Sequence, residues 1–186
     1  MQELSLNVLD IAQNSIRAGA ALIAITAEER RADAFLEITV SDNGCGMTEE
    51  QVKRVMDPFF TTRTTRKVGL GVPFFKMSAE ATGGDFSIVS RPGEGTTVSA
   101  RYHTDHIDML PLGDMNATIL SLITMNPDLD FVYTRSLDGK SYVLDTRELK
   151  KVLEDVPLNA PDVVLYLKEA LEEGTAALFD EAPDTN

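Results

Sequence analysis

Residues 42–47 read Asp-Asn-Gly-Cys-Gly-Met, and they follow an apolar alternating run, Phe35, Ile38 and Val40. A carboxylate at a strand end, followed by two glycines one residue apart, brings bare backbone up to a flat partner. Glycine permits both the positive-φ turn and an approach that any Cβ would block. The same pattern is also ordinary turn chemistry, so the rest of the chain decides between turn and site.

At 186 residues, one domain or one with an appendage is expected. The apolar fraction of 43% suffices for a core, and charged residues make up 25%. No apolar run reaches the ~18 residues of a membrane helix. Met1-Gln2-Glu3-Leu4 lacks the basic start of a signal peptide. A single cysteine, Cys45, forms no internal disulfide, so a cytoplasmic location is expected. No Cys/His set supports zinc, and His103 and His106 read as connector residues. The net charge is −13. Residues 1–104 hold 11 basic and 13 acidic residues, whereas residues 105–186 hold 6 and 17. This acidity disfavours nucleic acid as a partner and marks an organisational boundary near residue 104.

Apolar spacing predicts a helix over 3–18, with Leu6, Val8, Leu9, Ile11, Ala12 and Ile16 inward, stopped at Gly19. Asp10 and Asn14 share one helical face, with Asn7 a turn earlier. That face is either an exposed polar stripe or one turned toward a ligand. Residues 21–28 and 34–41 predict an antiparallel hairpin. Thr48 and Gln51 form a capping box for a helix that ends at Asp57-Pro58. Residues 59–68 show no period, are rich in hydroxyls and carry three cations. Gly69-Leu70-Gly71 then feeds a helix over 72–82, a seat for phosphate because the first N–H groups of a helix are unpaired. Strands over 85–91 and 96–102 flank a turn at Pro92-Gly93-Glu94-Gly95. In 105–186 the pattern predicts an Asp114-capped helix at 114–125 and strands near 130–134 and 141–145 joined through Asp138-Gly139. A helix over 147–154 capped by Thr146, a helix from Pro161 to about 172, and a frayed acidic end complete the chain.

Four stretches recur in order: Asp10…Asn14-Ser15-Ile16-Arg17-Ala18-Gly19-Ala20, Asp42 to Met47, Gly69-Leu70-Gly71-Val72, and Gly93-Glu94-Gly95-Thr96. They resemble the N, G1, G2 and G3 boxes of the GHKL ATP-binding superfamily (gyrase, Hsp90, histidine kinase, MutL), over residues 3–102. Asp57-Pro58-Phe59-Phe60 resembles the F box of histidine kinases, while the N and G1 boxes look as much like MutL. The resemblance implies a Bergerat fold: an α/β (α+β) two-layer sandwich, a mixed mostly antiparallel sheet under three helices. The ATP-binding domain would span 1–104, with a small acidic α+β region of unknown role at 105–186. It also implies ATP and Mg²⁺ as ligands. Asn14 would hold Mg²⁺, Asp42 would accept from the adenine amino group, and the Gly44 and Gly46 backbone would pack on the base beside Met47. Residues 59–68 would form a lid, with Phe60, Thr62, Arg63, Arg66 and Lys67 facing the nucleotide. Gly69, Leu70, Gly71 and Val72 would lie along the phosphates, and Thr96 would support the adenine end through a water.

Hydrolytic relatives usually carry Glu four residues before the Asn as general base; here Asp10 stands there, one methylene shorter. The N box lies at the start of the chain, and neither histidine sits in an acceptor helix. A self-contained sensor kinase of the usual layout is therefore not expected. Three readings remain. The first is a regulatory protein that phosphorylates a separate partner, like anti-sigma serine kinases or a split histidine kinase. The second is a gyrase/MutL-style ATPase whose lid drives homodimerisation, which needs a lysine such as Lys140, Lys150 or Lys151. The third is a non-catalytic nucleotide sensor. A protein partner is expected at the acidic C-terminal region or the lid.

Overall fold

The computed structural model describes residues 3–59 and 70–180. In chain order the elements are α1 (Leu4–Arg17), β1 (Leu22–Arg30), β2 (Phe35–Asp42), α2 (Glu49–Val55) and α3 (Gly71–Ala81). Then follow β3 (Phe86–Arg91), β4 (Gly95–His103), α4 (Met115–Met125), β5 (Asp130–Leu137), β6 (Lys140–Asp145), α5 (Thr146–Leu153) and α6 (Pro161–Ala176), with a 3₁₀ turn at Ala177–Phe179. The strands form one six-stranded sheet in the order β3-β4-β2-β1-β5-β6. Among the described residues only the β1–β5 pair is parallel, so the sheet is mixed and mostly antiparallel.

Strand alternation sorts the sheet into two faces. Ile23 and Ile25 of β1, Leu36, Ile38 and Val40 of β2, Val98 and Tyr102 of β4, and Phe131 and Tyr133 of β5 are buried on one face. They join one core with Val8 and Ile11 of α1, Phe75 and Ala79 of α3, Ile119 and Ile123 of α4, and Leu167 and Leu171 of α6. Each such fully buried aliphatic or aromatic side chain contributes about 1.5–3 kcal/mol. The other face is paved with hydroxyls, Thr39 bonding Ser99 at 2.8 Å and Ser41 bonding Thr97 at 2.7 Å. One apolar face and one polar face make a two-layer sandwich.

The buried stripe of α1 is Leu4, Val8, Ile11, Ala12 and Ser15, whereas Leu6 turns outward, 40% exposed. Its broad apolar composition hid which side the sheet covers. The first N–H groups of α1 donate to the carbonyls of Pro111 (3.0 Å) and Leu112 (2.8 Å), so the connector after β4 caps the helix. The expected Thr48–Gln51 capping box is present.

Residues 130–145 continue the same sheet beyond the charge break near residue 104. Leu22 pairs with Asp130 and Glu29 with Leu137, which makes β5 longer than the expected 130–134. The added strand residues include Arg135, which is buried and held by its ion pair to Glu29 and by donation to the Ala27 and Ser136 carbonyls. Asp145, not Thr146, caps α5, accepting from the Arg147 N–H at 3.0 Å. The Thr146 hydroxyl instead accepts from the Phe131 N–H at 2.8 Å and clips α5 to β5. The C-terminal helix also outlasts its expected end near 172. Asn116 donates to the Thr175 hydroxyl at 2.8 Å, and Leu178 is buried beyond it, so tertiary contacts hold what looked frayed.

Candidate functional site

The site grows from the end of β2. The β2–β4 register sets Asp42 beside Thr96, and the β3–β4 register sets Thr96 beside Ser90. The Asp42 carboxylate is held at both oxygens. Ser15 of α1 donates its hydroxyl to Oδ2 at 2.6 Å, and the Gly44 N–H donates to Oδ1 at 2.9 Å. A carboxylate oxygen has room for a second donor, so Asp42 is an oriented acceptor with capacity left.

The glycines earn their places by contact. Gly46 lies at φ +66°, and a Cβ there would stand 1.9 Å from the Arg91 carbonyl oxygen. Gly44 approaches Ala18, whose carbonyl accepts from the Cys45 N–H at 2.9 Å. Ser90 ties the corner together: its hydroxyl accepts from the Met47 N–H (2.8 Å), donates to the Gly95 carbonyl (3.1 Å) and meets the Thr96 hydroxyl at 2.8 Å. Asn43 accepts from the N–H groups of Ala21 and Leu22, anchoring the start of β1.

Between α1, α2 and the sheet lies a cavity of about 260 Å³. Of the residues singled out in the sequence, Asn14, Asp42, Gly46, Met47, Val72 and Thr96 line it. Ser15, Cys45, Gln51, Val55 and Ile88 also line it. Sequence reasoning passed over Ser15 and Ser90, because a serine one residue from Asn14 and another in a strand carry no periodic signal. Only the hydroxyl beside the Asn of the N box hinted at the first. Asn7 is buried and stands outside this lining.

The other end of the site is the start of α3. Gly71 lies so close to α1 that a Cβ would stand 2.8 Å from Asp10 Cβ. Asp10 is thereby set beside a helix N-terminus whose first N–H groups lack intrahelical partners. Burial pushes the Asp10 carboxyl above its ordinary value, and Arg17 pulls against that shift. Arg17 also donates from Nη1 to Asn14 Oδ1 at 3.1 Å. Phe60, Thr62, Arg63, Arg66, Lys67 and Gly69 lie outside the described residues. Lys150 bonds Asp130 at 2.7 Å and Lys151 bonds Glu148 at 2.7 Å, while Lys140 donates to the Asp180 carbonyl. None of these three lysines lines the cavity.

Among the described residues no cluster of three or more His, Cys, Asp or Glu side chains could hold a metal. One amide oxygen at Asn14 suits Mg²⁺ only when nucleotide phosphates and waters complete its octahedron. Cys45 is exposed and lines the cavity, which makes it a reporter. Alkylation by N-ethylmaleimide should slow about tenfold or more when ATP fills the site. An unchanged rate would place the nucleotide elsewhere.

The chain is similar to known proteins. Among curated relatives, the signal transduction histidine-protein kinase AtoS of Escherichia coli K12 is 38% identical over 65 residues, covering 35% of this chain and 10% of AtoS. The histidine protein kinase DivJ of Caulobacter vibrioides is 33% identical over 98 residues, covering 50% of this chain and 16% of DivJ. The aligned part is thus a small fraction of those relatives' length. Among solved structures, the Aquifex aeolicus MutL ATPase domain complexed with ADP aligns at 14% identity with a TM-score of 0.47, over 98% of this chain and 99% of that one. No helix among the described residues is long and apolar enough to cross a membrane. The family model of histidine kinase-, DNA gyrase B- and HSP90-like ATPases matches residues 1–106, and the chain belongs to that family.

Proposed function

We propose that this chain is a Mg²⁺-dependent, ATP-binding regulatory protein that passes the γ-phosphoryl group to a separate partner protein. The carrying observation is the Asp42 corner: a carboxylate fixed by Ser15 and Gly44 in the wall of a largely apolar cavity. Adenine offers an amino group to such an acceptor and flat faces to the Gly44–Met47 backbone, Ile88 and Val98. The phosphates would then run toward Asn14, Asp10 and the start of α3. Bound Mg²⁺ would neutralise phosphate charge, with Asn14 as its protein ligand.

In the transfer, the bond from γ-phosphorus to the β–γ bridging oxygen breaks and a new bond forms to the partner's nucleophile. ADP leaves, and the proton of the nucleophile goes to Asp10. A base works best with its pKa near the operating pH, and burial moves Asp10 in that direction. The relatives that are histidine protein kinases support the same reading.

Calorimetric titration with ATP and ADP, with and without Mg²⁺, tests the core of this reading. ATP binding strengthened by Mg²⁺ is expected, and no binding of either nucleotide would sink it. Asp10→Asn separates binding from chemistry: ATP affinity should change only a few-fold while turnover or transfer falls about 100-fold. The same variant has a stability signature. Because the folded carboxyl is held above its ordinary value, ionising Asp10 opposes the fold. That opposition is absent below the ordinary carboxyl range and grows as pH rises through the raised value. The Asn variant should therefore melt higher than wild type at neutral pH and no higher in acid.

A second reading, nucleotide sensing without transfer, is favoured by one contact. Arg17 occupies Asn14 Oδ1, the oxygen that the metal would use. If wild type binds ATP but never turns it over, and Arg17→Ala strengthens Mg²⁺-dependent binding, the sensing reading replaces transfer.

A further inference from the structure

The sheet has two edges, and the fold treats them differently. At the β3 edge the loop before α2 is tied to the strand end, Met47 N–H donating to the Ser90 hydroxyl and Gly93 N–H to the Cys45 carbonyl, and α2 packs against the strand. At the β6 edge α6 and the 3₁₀ turn pack against the strand, and among the described residues no loop is tied to its backbone. β5 and β6 join through Asp138 and Gly139 at φ +49° and +86°, with Leu137 opposite Lys140. Both central residues at positive φ make a two-residue type I′ hairpin. The pair that closes such a turn is hydrogen-bonded, and bonded pairs alternate along the ladder. Lys140, Tyr142 and Leu144 therefore face their backbone groups toward β5, while Ser141 and Val143 face theirs outward. Among the described residues, neither Ser141 nor Val143 takes part in any backbone bond outside the strand pairing. Both side chains are exposed, Val143 at 54%.

Exposed edges are normally blunted by a bulge, a proline or inward charge. β6 pairs without a break from Lys140 to Asp145 and has none of these at 141–144. An edge left regular and open is a template for another strand.

What lies beside the edge selects the occupant. α6 runs next to β6, close enough that a Cβ on Gly174 would stand 2.2 Å from the Tyr142 ring. Asp162, Tyr166, Glu169 and Glu173 follow one another at helical spacing and share a face of α6. Tyr166 is 56% exposed. Asp162, Glu169, Glu172 and Glu173 enter no ion pair among the described residues. A second copy of the chain would bring the same sign: residues 105–186 hold 6 basic and 17 acidic residues.

We propose that β6 accepts an extended basic segment of a partner protein as an added strand, with the acidic Tyr166 face of α6 selecting its charge. Main-chain bonds to Ser141 and Val143 would supply register-specific affinity, and the α6 carboxylates would reject acidic segments. This surface lies away from the nucleotide corner and does not depend on the function proposed above.

Amide exchange by NMR on the full ¹⁵N-labelled chain tests it. The probe is a short capped peptide alternating Lys and Val, with a matched Glu–Val peptide as counterpart. The Lys peptide should slow exchange at Ser141 and Val143 about tenfold or more, and the Glu peptide should not. Val143→Pro should abolish the effect. Asp162→Lys with Glu169→Lys and Glu173→Lys, all on an exposed face, should weaken it several-fold without touching the strand, and decides the matter if the proline variant fails to fold. Three results would overturn the proposal: no protection by the Lys peptide, equal protection by both peptides, or the same two amides already protected by self-association of the chain alone.

Discussion

Asp42→Asn should leave the protein folded and weaken ATP binding about 100-fold, the loss expected when a charge-assisted bond of ~3 kcal/mol is replaced by a mismatch. The reason lies in the two donors already on the carboxylate. The Gly44 N–H needs an acceptor at 2.9 Å, so the amide oxygen of the variant stays there. The amide nitrogen then takes the Oδ2 position, where the Ser15 hydroxyl can rotate to accept from it; that hydroxyl already lies 3.5 Å from the Ile11 carbonyl, which can take its proton. The corner survives, but an adenine amino group now meets a donor instead of an acceptor. Asp42→Ala should lose the nucleotide as well, at a larger cost in stability, since Ser15 and Gly44 lose their partner. Calorimetry for binding and thermal unfolding for the fold check both variants. If Asp42→Asn binds ATP as wild type does, Asp42 does not read the base.

Gly95→Ala should be the most damaging small substitution on the sheet side of the site. Gly95 sits at φ +125°, and its Cβ would fall 1.9 Å from the Asp42 carbonyl oxygen and 2.9 Å from Asn43 Cα. Both obstacles are backbone, so no side chain can swing aside. Relief requires parting β4 from β2 at the residue that positions Asp42. A loss of about 3 kcal/mol or more in urea unfolding is expected, with nucleotide binding lost alongside. Gly93→Ala is the control: φ is +79° but nothing lies within 4 Å, so only local strain of about 1 kcal/mol is paid. Equal costs at the two glycines would mean that strand separation at Asp42 is not what Gly95 protects.

Much of this was legible before any tertiary structure. Period and capping found α1, the β1–β2 hairpin, the capping box of α2 and the β3–β4 hairpin, because each is decided by residues within a few positions of one another. The order of the four glycine-containing stretches singled out Asn14, Asp42 and Thr96, which the fold brings to one cavity. Ser15 and Ser90 stayed hidden, since their importance comes from partners 27 and 6 residues away. Thr146 was misplaced for the same reason: a threonine before a helix reads as its cap, but a neighbouring strand offered it a better bond and Asp145 took the cap.

By itself, then, the sequence determined the chemistry available at the Asp42 corner: an acidic acceptor, bare glycine backbone and an Asp–Asn helical face. Tertiary structure decided how those parts are held and where residues 130–145 lie in the sheet. Parallel pairing of β5 with β1 cannot be read locally, because a parallel neighbour is reached only through a crossover and leaves no turn signature between the paired strands. That pairing carries residues 130–145 into the sheet and leaves β6, not β1, as its edge. Burial of Asp10 likewise arises only when α1 meets the start of α3, for desolvation is a property of neighbours rather than of residue type.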